Sequence, residues 1–318
     1  MKKVFVLGAT GFVGQHVCEK LVRAGWQVTV ATRRRSNARE IMLLPGLTVL
    51  ELDVHNESAL SQALAGQGAV VNLVAVLHGS QAVFEQVHVA LPQKLARACI
   101  ERAVPRVVHI SAMGADALQP DKAPSMYLRS KGEGEAVLIQ AANALGAGAT
   151  SQTGFDLSII RPSVIFGAED KFMNVFARLQ KVLPLVPLAS AQSRFQPVWV
   201  EDVAAAVVAL LQGRSALASP RIHEACGPEV FTLKQLVRLS GQLSGLCGGW
   251  GRPIWGVPLW VGRLQAAMMA LAPGVPMISA DNLDSMQVDN VSQGHFPDLQ
   301  ALGITPSALA PIAQQYLR

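Results

Sequence analysis

The chain has 318 residues, enough to bury a large core in one sizeable domain with a smaller lobe beside it. Half of the residues are hydrophobic and only 15% are charged, a composition that excludes a globally disordered chain. The formal net charge of +5 suits an anionic ligand or a negatively charged surface, although ordinary solubility explains it equally well. Apart from Arg33, Arg34 and Arg35 the basic residues are scattered, so no nucleic-acid partner is predicted.

Neither the cysteines nor the hydropathy pattern indicates export or a membrane span. The four cysteines are far apart and form no Cys-x-x-Cys pair, which favours reduced thiols in a cytoplasmic protein. The start, Met-Lys-Lys before an apolar run at 4–7, is too short for a signal peptide. Prolines and an arginine interrupt the apolar stretch 254–278, whereas a spanning helix needs about 20 mostly apolar residues. We expect a cytoplasmic protein, or one peripheral at the inner face of a membrane.

Strands and helices alternate along the first half of the chain. Short apolar runs predict strands at 4–7, 27–31, 47–52, 69–74, 106–110 and 155–160, the last stopped by Arg161-Pro162. Helical periodicity predicts helices from Val13 to a stop at Gly25, and at 59–64, 83–102 and 127–145, the third kinked or begun near Pro92. This alternation is typical of βαβ units, and it predicts a Rossmann-type doubly wound α/β fold with a parallel sheet.

After Pro162 the alternation weakens, and prolines crowd 183–188 and 251–276. We predict a dinucleotide-binding domain over 1–165 and a smaller, mixed substrate or partner lobe over 166–194 and 216–318. A strand at 195–200 and a helix at 203–211, within 195–215, are expected to return to the main sheet.

A glycine-rich loop follows the first predicted strand. Gly8, Gly11 and Gly14 stand where this strand turns into the first helix. Glycines there let the backbone approach a pyrophosphate, and the helix N-terminus offers unpaired N–H groups and a partial positive charge. Gly14 is expected to let the helix pack closely on the sheet. The position between a strand and an amphipathic helix favours a dinucleotide site over a plain tight turn.

The end of the second predicted strand indicates which dinucleotide binds. A site that prefers NAD usually places Asp or Glu there, but this chain has Arg33 and Arg34 and no acid. Guanidinium groups pair with a 2′-phosphate, so NADP(H) is favoured over NAD(H); a solvated basic loop is the alternative. Asp53 and Val54 either meet the adenine, or Asp53 only terminates the third strand.

Tyr127 and Lys131 lie four residues apart on a predicted helix and therefore share a face. A nearby ammonium favours phenolate, so Lys131 is expected to lower the pKa of Tyr127 from about 10 toward working pH. Tyrosine can then exchange a proton with a carbonyl or hydroxyl while nicotinamide passes a hydride. The alternative is a surface tyrosine beside an exposed Lys131–Glu135 pair.

Several strings resemble the extended or atypical short-chain dehydrogenase/reductase superfamily, over nearly the whole chain. They are the glycine loop, Asp53-Val54, YLRSK at 127–131 and RPSVIFG at 161–167. Others are similar to one branch, the accessory NAD(P)H-binding subunit of respiratory complex I and its stand-alone bacterial relatives. These are HISAMGA at 109–115, YLRSKGEGE at 127–135, QPVWVEDV at 196–203 and VDNV at 288–291.

The resemblance implies an NAD(P)(H)-binding oxidoreductase or epimerase-like protein. It implies Tyr127, Lys131 and Ser111 as catalytic residues, with Lys131 also holding the nicotinamide ribose. Besides Lys131, the cofactor-binding residues are then Gly8, Thr10, Gly11, Phe12, Val13, Gly14, Arg33, Arg34, Asp53, Val54, Leu73, Val74, Ala75, Pro162 and Val164. A substrate is expected between the carboxyl edge of the sheet and the lobe, near Ser111, Ser163 and Phe166.

One departure from the superfamily pattern bears on catalysis. Active relatives carry a serine or threonine just after the fifth strand, and here that position falls on Ala112. Ser111 either substitutes for it from one residue away, or the polarising group is absent. Loss of one such donor costs about two to three orders of magnitude in rate.

Two functions therefore stay open: an NAD(P)H-dependent enzyme, or a catalytically weak NADP(H)-binding accessory or assembly protein on a respiratory or quinone-related complex. The apolar stretch 258–271 and the nearby Trp255 suit a small lipophilic or quinone-like substrate, a membrane or a partner, or they are ordinary core. The histidine spacing indicates no metal site.

Overall fold

A seven-stranded sheet forms the centre of the protein in a computed structural model that describes residues 2–143, 154–270 and 279–317. The strands of the described part are β1 (Lys3–Leu7), β2 (Gln27–Thr32), β3 (Leu47–Glu51), β4 (Ala69–Asn72), β5 (Arg106–Ile110), β6 (Asp156–Pro162), β7 (Ile165–Phe166), β8 (Val186–Ala189), β9 (Arg194–Phe195), β10 (Val198–Trp199), β11 (Arg221–Ala225), β12 (Phe231–Thr232) and β13 (Ile254–Val257). The α-helices are α1 (Phe12–Arg23), α2 (Glu57–Leu64), α3 (Gln81–Glu85), α4 (Leu91–Glu101), α5 (Met126–Asn143), α6 (Met173–Val182), α7 (Val200–Leu211), α8 (Leu233–Leu243), α9 (Leu259–Ala270), α10 (Ala280–Ser285) and α11 (Leu309–Tyr316).

The order of the main sheet is β11-β6-β5-β4-β1-β2-β3, and every neighbouring pair is parallel. The chain reverses its direction of travel across the sheet between β1 and β4, which are direct neighbours. In such sheets a ligand binds outside the carboxyl ends of the strands at this switch point. The predicted Rossmann-type, doubly wound α/β fold is confirmed.

Two apolar layers cover the main sheet, one on each face. On one side, α1 and α7 pack together and bury Val17, Leu21 and Val207. On the other side, α2, α4 and α5 bury residues such as Leu95 and Leu138. Strands covered on both faces need apolar side chains at successive positions, and this explains the uninterrupted hydrophobic runs in the sequence.

The helix predicted at 83–102 is divided into three parts. It consists of α3, a π-helical turn at Gln86–Ala90, and α4. Pro92 lies in the first turn of α4, and its missing N–H falls where the π-helical turn meets α4, so the predicted interruption near this proline is confirmed. The π-helical turn itself has no signature in the sequence.

Strand β6 extends further than predicted. Arg161 and Pro162 do not stop it at residue 160, because β11 pairs with it up to Ala225 opposite Pro162. Pro162 is the last residue of the strand, a position that tolerates a proline, and its carbonyl accepts the N–H of Met113 at 2.9 Å. The helix predicted at 127–145 is α5; its last two predicted residues lie outside the described part of the chain.

The second half of the chain forms a smaller mixed lobe around Phe176, Leu236 and Leu309, with three two-stranded pairs. The strand predicted at 195–200 does not join the main sheet, since β9 and β10 pair with β12 and β7. The helix after it, α7, does pack on α1, and β11 supplies the seventh strand of the main sheet. The domain boundaries stay a prediction.

The apolar stretch 254–278 begins with β13 and α9, and its residues 271–278 lie outside the described part. None of the helices that the structure describes combines the length and the hydropathy needed to span a bilayer.

Candidate functional site

The glycine loop lies against the backbone that follows β4. Gly8 has a φ of +79°, and a Cβ on it would lie 2.9 Å from the carbonyl carbon of Leu73. A Cβ on Gly14 would lie only 2.3 Å from the carbonyl oxygen of Gly8. Only glycine therefore fits at either position, and the first turn of α1 packs directly on the loop that ends β1.

Helix α1 presents its N-terminus to this loop. It begins at Phe12. Gly11, the residue before it, has no side chain that could cap the helix, and the first turn contains no acidic residue. The N–H groups of a first helical turn have no partner within the helix, and they lie at the positive end of the helix dipole. Together with the space left by the glycines, they form a cradle that fits a diphosphate.

The turn after β2 carries the predicted arginines. Arg33 and Arg34 are exposed, and together with Asn37 they line an open cavity of about 310 Å³. The Thr32 hydroxyl donates to the carbonyl of Arg34 at 3.0 Å, which fixes the turn. The nearby carboxylate of Glu51 accepts the backbone N–H of Arg35 at 3.0 Å. The lining of the cavity is thus cationic and polar, which suits an additional phosphate.

Other predicted cofactor residues lie along the same edge of the sheet. Asp53 is exposed after β3, and its carboxylate accepts the N–H of His55 at 3.0 Å. Asn72, at the end of β4, accepts the N–H of Val74 at 3.2 Å and thereby orders the segment of Leu73, Val74 and Ala75. Val164 follows β6, and its N–H donates to Asn290 at 3.0 Å.

The ammonium of Lys131 is buried beneath this edge. Its side chain is 2% exposed, and Nζ donates to the carbonyl of Ile110, at the end of β5, over 2.7 Å. Burial lowers the pKa of Lys131 to about 8, against the opposing effect of Glu135. Glu135 is fully buried, and its carboxylate accepts hydrogen bonds from Nε and Nη2 of Arg161, at 2.9 and 2.6 Å. The alternative of an exposed Lys131–Glu135 pair is therefore excluded.

Tyr127 lies one turn before Lys131, at the start of α5. Its ring makes edge contacts with Phe84 and His88, with centroids 6.2 and 5.5 Å away. Burial and the charge of Asp281 raise the pKa of Tyr127 to about 12. The expectation that the pKa of Tyr127 falls below 10 is wrong, because desolvation of the phenolate dominates here. The phenol is therefore protonated at neutral pH.

Ser111 and Ala112 follow β5 directly. Ala112 belongs to a small apolar cluster with Ala123 and Leu128, and the Tyr127 side chain packs against this cluster. The Ser111 hydroxyl is buried and has no hydrogen-bond partner among the described residues. A buried hydroxyl without a partner is costly, so Ser111 is the polar group at the end of β5 that still needs a partner.

A histidine that the sequence did not indicate holds the site together. The N–H of Val76 donates to Nε2 of His88 at 3.1 Å, so the ring proton lies on Nδ1, which is 2.8 Å from the Ser130 hydroxyl. Ser130 in turn donates to the carbonyl of Tyr127 at 2.9 Å. Burial, with a contribution from Lys131, lowers the pKa of His88 to about 3. A neutral His88 thus links the segment after β4 to α5.

Two residues expected near a substrate have structural partners instead. The Ser163 hydroxyl bonds to the carbonyl and the side-chain oxygen of Asn290, at 2.8 and 2.5 Å. Phe166 is fully buried in the core of the lobe. In this structure neither is free to meet a ligand.

A parallel sheet with a glycine cradle at its switch point defines a Rossmann-type NAD(P)-binding protein. The sequence profile of the NAD dependent epimerase/dehydratase family matches residues 4–226, and the chain belongs to this family.

Known proteins with a similar sequence or fold include a mouse (Mus musculus) protein named NADH dehydrogenase [ubiquinone] 1 alpha subcomplex subunit 9, mitochondrial. It is 30% identical over 98% of this chain and 79% of its own length. A crystal structure of an NADPH-dependent quinone oxidoreductase from Escherichia coli, complexed with NADPH, has a similar fold. It has a TM-score of 0.75 at 17% identity and covers 99% of this chain and 100% of that one. The Thermus thermophilus UDP-glucose 4-epimerase complex with NAD has a TM-score of 0.63 at 20% identity, covering 90% of this chain and 99% of that one.

Proposed function

We propose that this protein is an NADP(H)-dependent reductase for a small, lipophilic or quinone-like carbonyl substrate, with Tyr127 as the proton donor. The observation that carries the proposal is a partly buried phenol, protonated at neutral pH, one helical turn from the buried ammonium of Lys131. A protonated phenol is the form needed to donate a proton, so it favours reduction over oxidation.

The chain's own residues fit the cofactor at separate points. The cradle at Gly8 and Gly14 would receive the diphosphate, and the cavity at Arg33 and Arg34 would receive the 2′-phosphate. Lys131 would hold the nicotinamide ribose. The bound cofactor supplies the hydride.

Tyr127 gives its proton to the substrate oxygen as negative charge develops there. The Lys131 ammonium stabilises the tyrosinate left behind, because an opposite charge nearby favours the ionised form. Ala112 carries no hydroxyl, so in this proposal Ser111, whose buried hydroxyl has no partner among the described residues, would supply a further hydrogen bond. A modest rate is therefore expected.

Replacement of Tyr127 by Phe tests the enzyme claim. The variant keeps the ring contacts and removes the transferable proton, so we expect NADPH oxidation with a panel of carbonyls and quinones to fall about 100-fold or more. NADPH binding, measured by calorimetry, should stay within about threefold, since the hydroxyl makes no hydrogen bond to a described residue. Equal background rates in wild type and variant would remove the enzyme claim.

A gain-of-function variant complements that loss. Ala112→Ser places a hydroxyl beside the phenol, so we expect kcat to rise by about tenfold to 100-fold. Ser111→Ala is the matched variant one residue earlier; it should lower the rate only if Ser111 already serves the substrate. An unchanged rate in Ala112→Ser would indicate that this edge of the sheet does not face a substrate oxygen.

A second candidate function is that of an accessory or assembly protein on a respiratory or quinone-related complex. The similarity to the mouse complex I subunit favours it, and so does Ala112 where active relatives carry serine or threonine. We propose that in this role NADP(H) is a bound structural or sensing ligand and that the protein is peripheral at the inner face of a membrane.

A further inference from the structure

The lobe contributes a charged residue to the helix that carries Tyr127 and Lys131. We propose that Asp281 is a positioning residue, which fixes the start of α5 from the lobe and adds a negative charge that acts on the Tyr127 hydroxyl. This inference rests on the proposed role of Tyr127.

Asp281 caps α5 although it lies more than 150 positions away in the chain. One carboxylate oxygen accepts the N–H of Met126 at 2.7 Å, and the other accepts the N–H of Tyr127 at 3.1 Å. These are first-turn N–H groups, which have no partner inside the helix. The hydroxyl of Ser125, directly before the helix, accepts the N–H of Leu128 at 3.1 Å but not those of Met126 or Tyr127. The two N–H groups at the helix start depend on Asp281.

Helix α10 is held in place around Asp281. It begins with a capping box between Ser279 and Asn282, and Ser285, in its last turn, donates to the Ser125 hydroxyl at 2.8 Å. The Asn282 amide reaches the carbonyl of Leu77, in the segment after β4, at 3.5 Å. One short lobe helix therefore contacts both the helix with Tyr127 and the segment predicted to bind the cofactor.

The charge of Asp281 acts beyond the cap. Both carboxylate oxygens take part in the cap, and an asparagine would keep only one of these two acceptors. Asp281 is 8% exposed and forms no salt bridge with a described residue. Its field in this poorly solvated position therefore reaches the phenol.

The other titratable groups around Tyr127 leave this field in place. His88 is neutral, because burial lowers its pKa to about 3. Burial lowers the pKa of His78, which faces Asp281, so this ring carries little charge either. Two cations lie in this surrounding: Lys171, which acts on His78, and Lys131, whose Nζ donates a hydrogen bond to the carbonyl of Ile110.

Fluorine NMR of the protein labelled with 3,5-difluorotyrosine tests the inference directly. The chain has only two tyrosines, and a Tyr316→Phe background leaves the Tyr127 signal alone. The variant Asp281→Asn keeps one acceptor but loses the charge. In this variant we expect the pKa of the labelled Tyr127 to fall by about one unit. Asp284→Asn is the matched control on the same helix, because Asp284 pairs with the exposed Arg263 and should leave the titration unchanged.

Two further variants separate charge from docking. Ser285→Ala removes a neutral contact to the start of α5, so it should lower the melting temperature without moving the titration. Asp281→Glu retains the charge, so the labelled Tyr127 should titrate as in the wild-type protein. If Asp281→Asn does not fold, Asp281→Ser takes its place as the neutral variant. An unchanged titration in the folded neutral variant overturns the inference whatever the enzyme activity is. Equal rates for wild type and Tyr127→Phe would instead overturn the proposed function.

Discussion

Two neighbouring arginines follow the end of β2, the place where proteins with this fold distinguish NADP from NAD. Arg33 and Arg34 are exposed and line a cavity with Asn37, and no carboxylate contributes to that lining. A guanidinium binds a phosphate through two parallel hydrogen bonds, whereas a ribose hydroxyl offers only one weak acceptor. The preference that we propose for NADP(H) rests on these two arginines.

Replacing both arginines by serine should remove this preference. A hydrogen bond to a charged group contributes about 1.5–3 kcal/mol, so we expect NADPH affinity to fall at least about tenfold. NADH lacks the 2′-phosphate, and its affinity should change by less than about twofold. Arg39→Ser is the control, since Arg39 is exposed nearby and pairs with Glu40. Titration calorimetry measures both affinities. Equal losses of affinity for NADPH and NADH would show that the arginines bind the diphosphate or stabilise the fold and do not recognise the 2′-phosphate.

Sequence reasoning succeeded at this scale where a residue type and a local spacing define the chemistry. Gly8 and Gly14 were singled out because a turn and a close backbone approach demand glycine, and the space around both has no room for a Cβ. His88 and Asp281 were missed, since their roles depend on contacts with residues far away in the chain. The pKa of Tyr127 was predicted in the wrong direction because its burial cannot be read from the spacing to Lys131.

Helix α1 connects the glycine loop to the rest of the fold. Its buried face, with Val17 and Leu21, packs on the sheet and on α7, and Gly14 is the point of closest approach. A side chain at Gly14 would meet backbone atoms, which cannot move aside as the end of a flexible side chain would. The position of the helix N-terminus, and so of the proposed diphosphate site, is set by this contact.

Gly14→Ala should therefore affect stability and binding together. A methyl group 2.3 Å from the Gly8 carbonyl oxygen forces the helix outward, and overpacking of this kind costs about 1–3 kcal/mol. We expect a lower urea midpoint and about tenfold or greater loss of affinity for NADPH and NADH alike. In the control Gly256→Ala the methyl meets only Ala191 Cβ at 3.6 Å. Wild-type nucleotide affinity in Gly14→Ala would show that the close contact does not position the site.

At the level of elements, the sequence predicted the parallel sheet but not its last strand. β1 (KVFVL) and β4 (AVVN) contain continuous apolar runs, which is the pattern that burial on both faces imposes, and β2 and β5 are rich in valine. β11 (RIHEA) carries polar side chains that find partners only in the folded state: Arg221 bonds to Asp156, and Glu224 to Ser292. Its hydropathy therefore does not indicate a strand of the main sheet.

The whole molecule has an uneven surface. Residues 171–200 and 230–280, which belong mostly to the lobe, contain eight Lys and Arg and no Asp or Glu. Within this region α9 buries Ala266 and places Gly262 against β8, while Trp260, Leu264 and Met268 on its other face are 68%, 55% and 57% exposed. Trp255, on the adjacent β13, is 66% exposed. Arg194 and Arg263 pair with Asp289 and Asp284, which lie just outside these ranges. The exposed aromatic and aliphatic side chains, with the other basic residues of the region, suit the interface of an anionic membrane.

We therefore expect the protein to bind vesicles that contain anionic phospholipid, and to bind them less as salt is added, because basic side chains contribute. The double variant Trp255→Ser/Trp260→Ser should lower the partition coefficient by about tenfold, since the buried apolar area falls. Leu43→Ser/Leu118→Ser is the matched control: these two side chains are 88% and 91% exposed but lie in the nucleotide-binding half. Tryptophan fluorescence and vesicle sedimentation measure the binding. If both double variants sediment with the vesicles like wild type, the apolar face of α9 and β13 is not a membrane contact, and the peripheral location proposed for the accessory role loses its structural support.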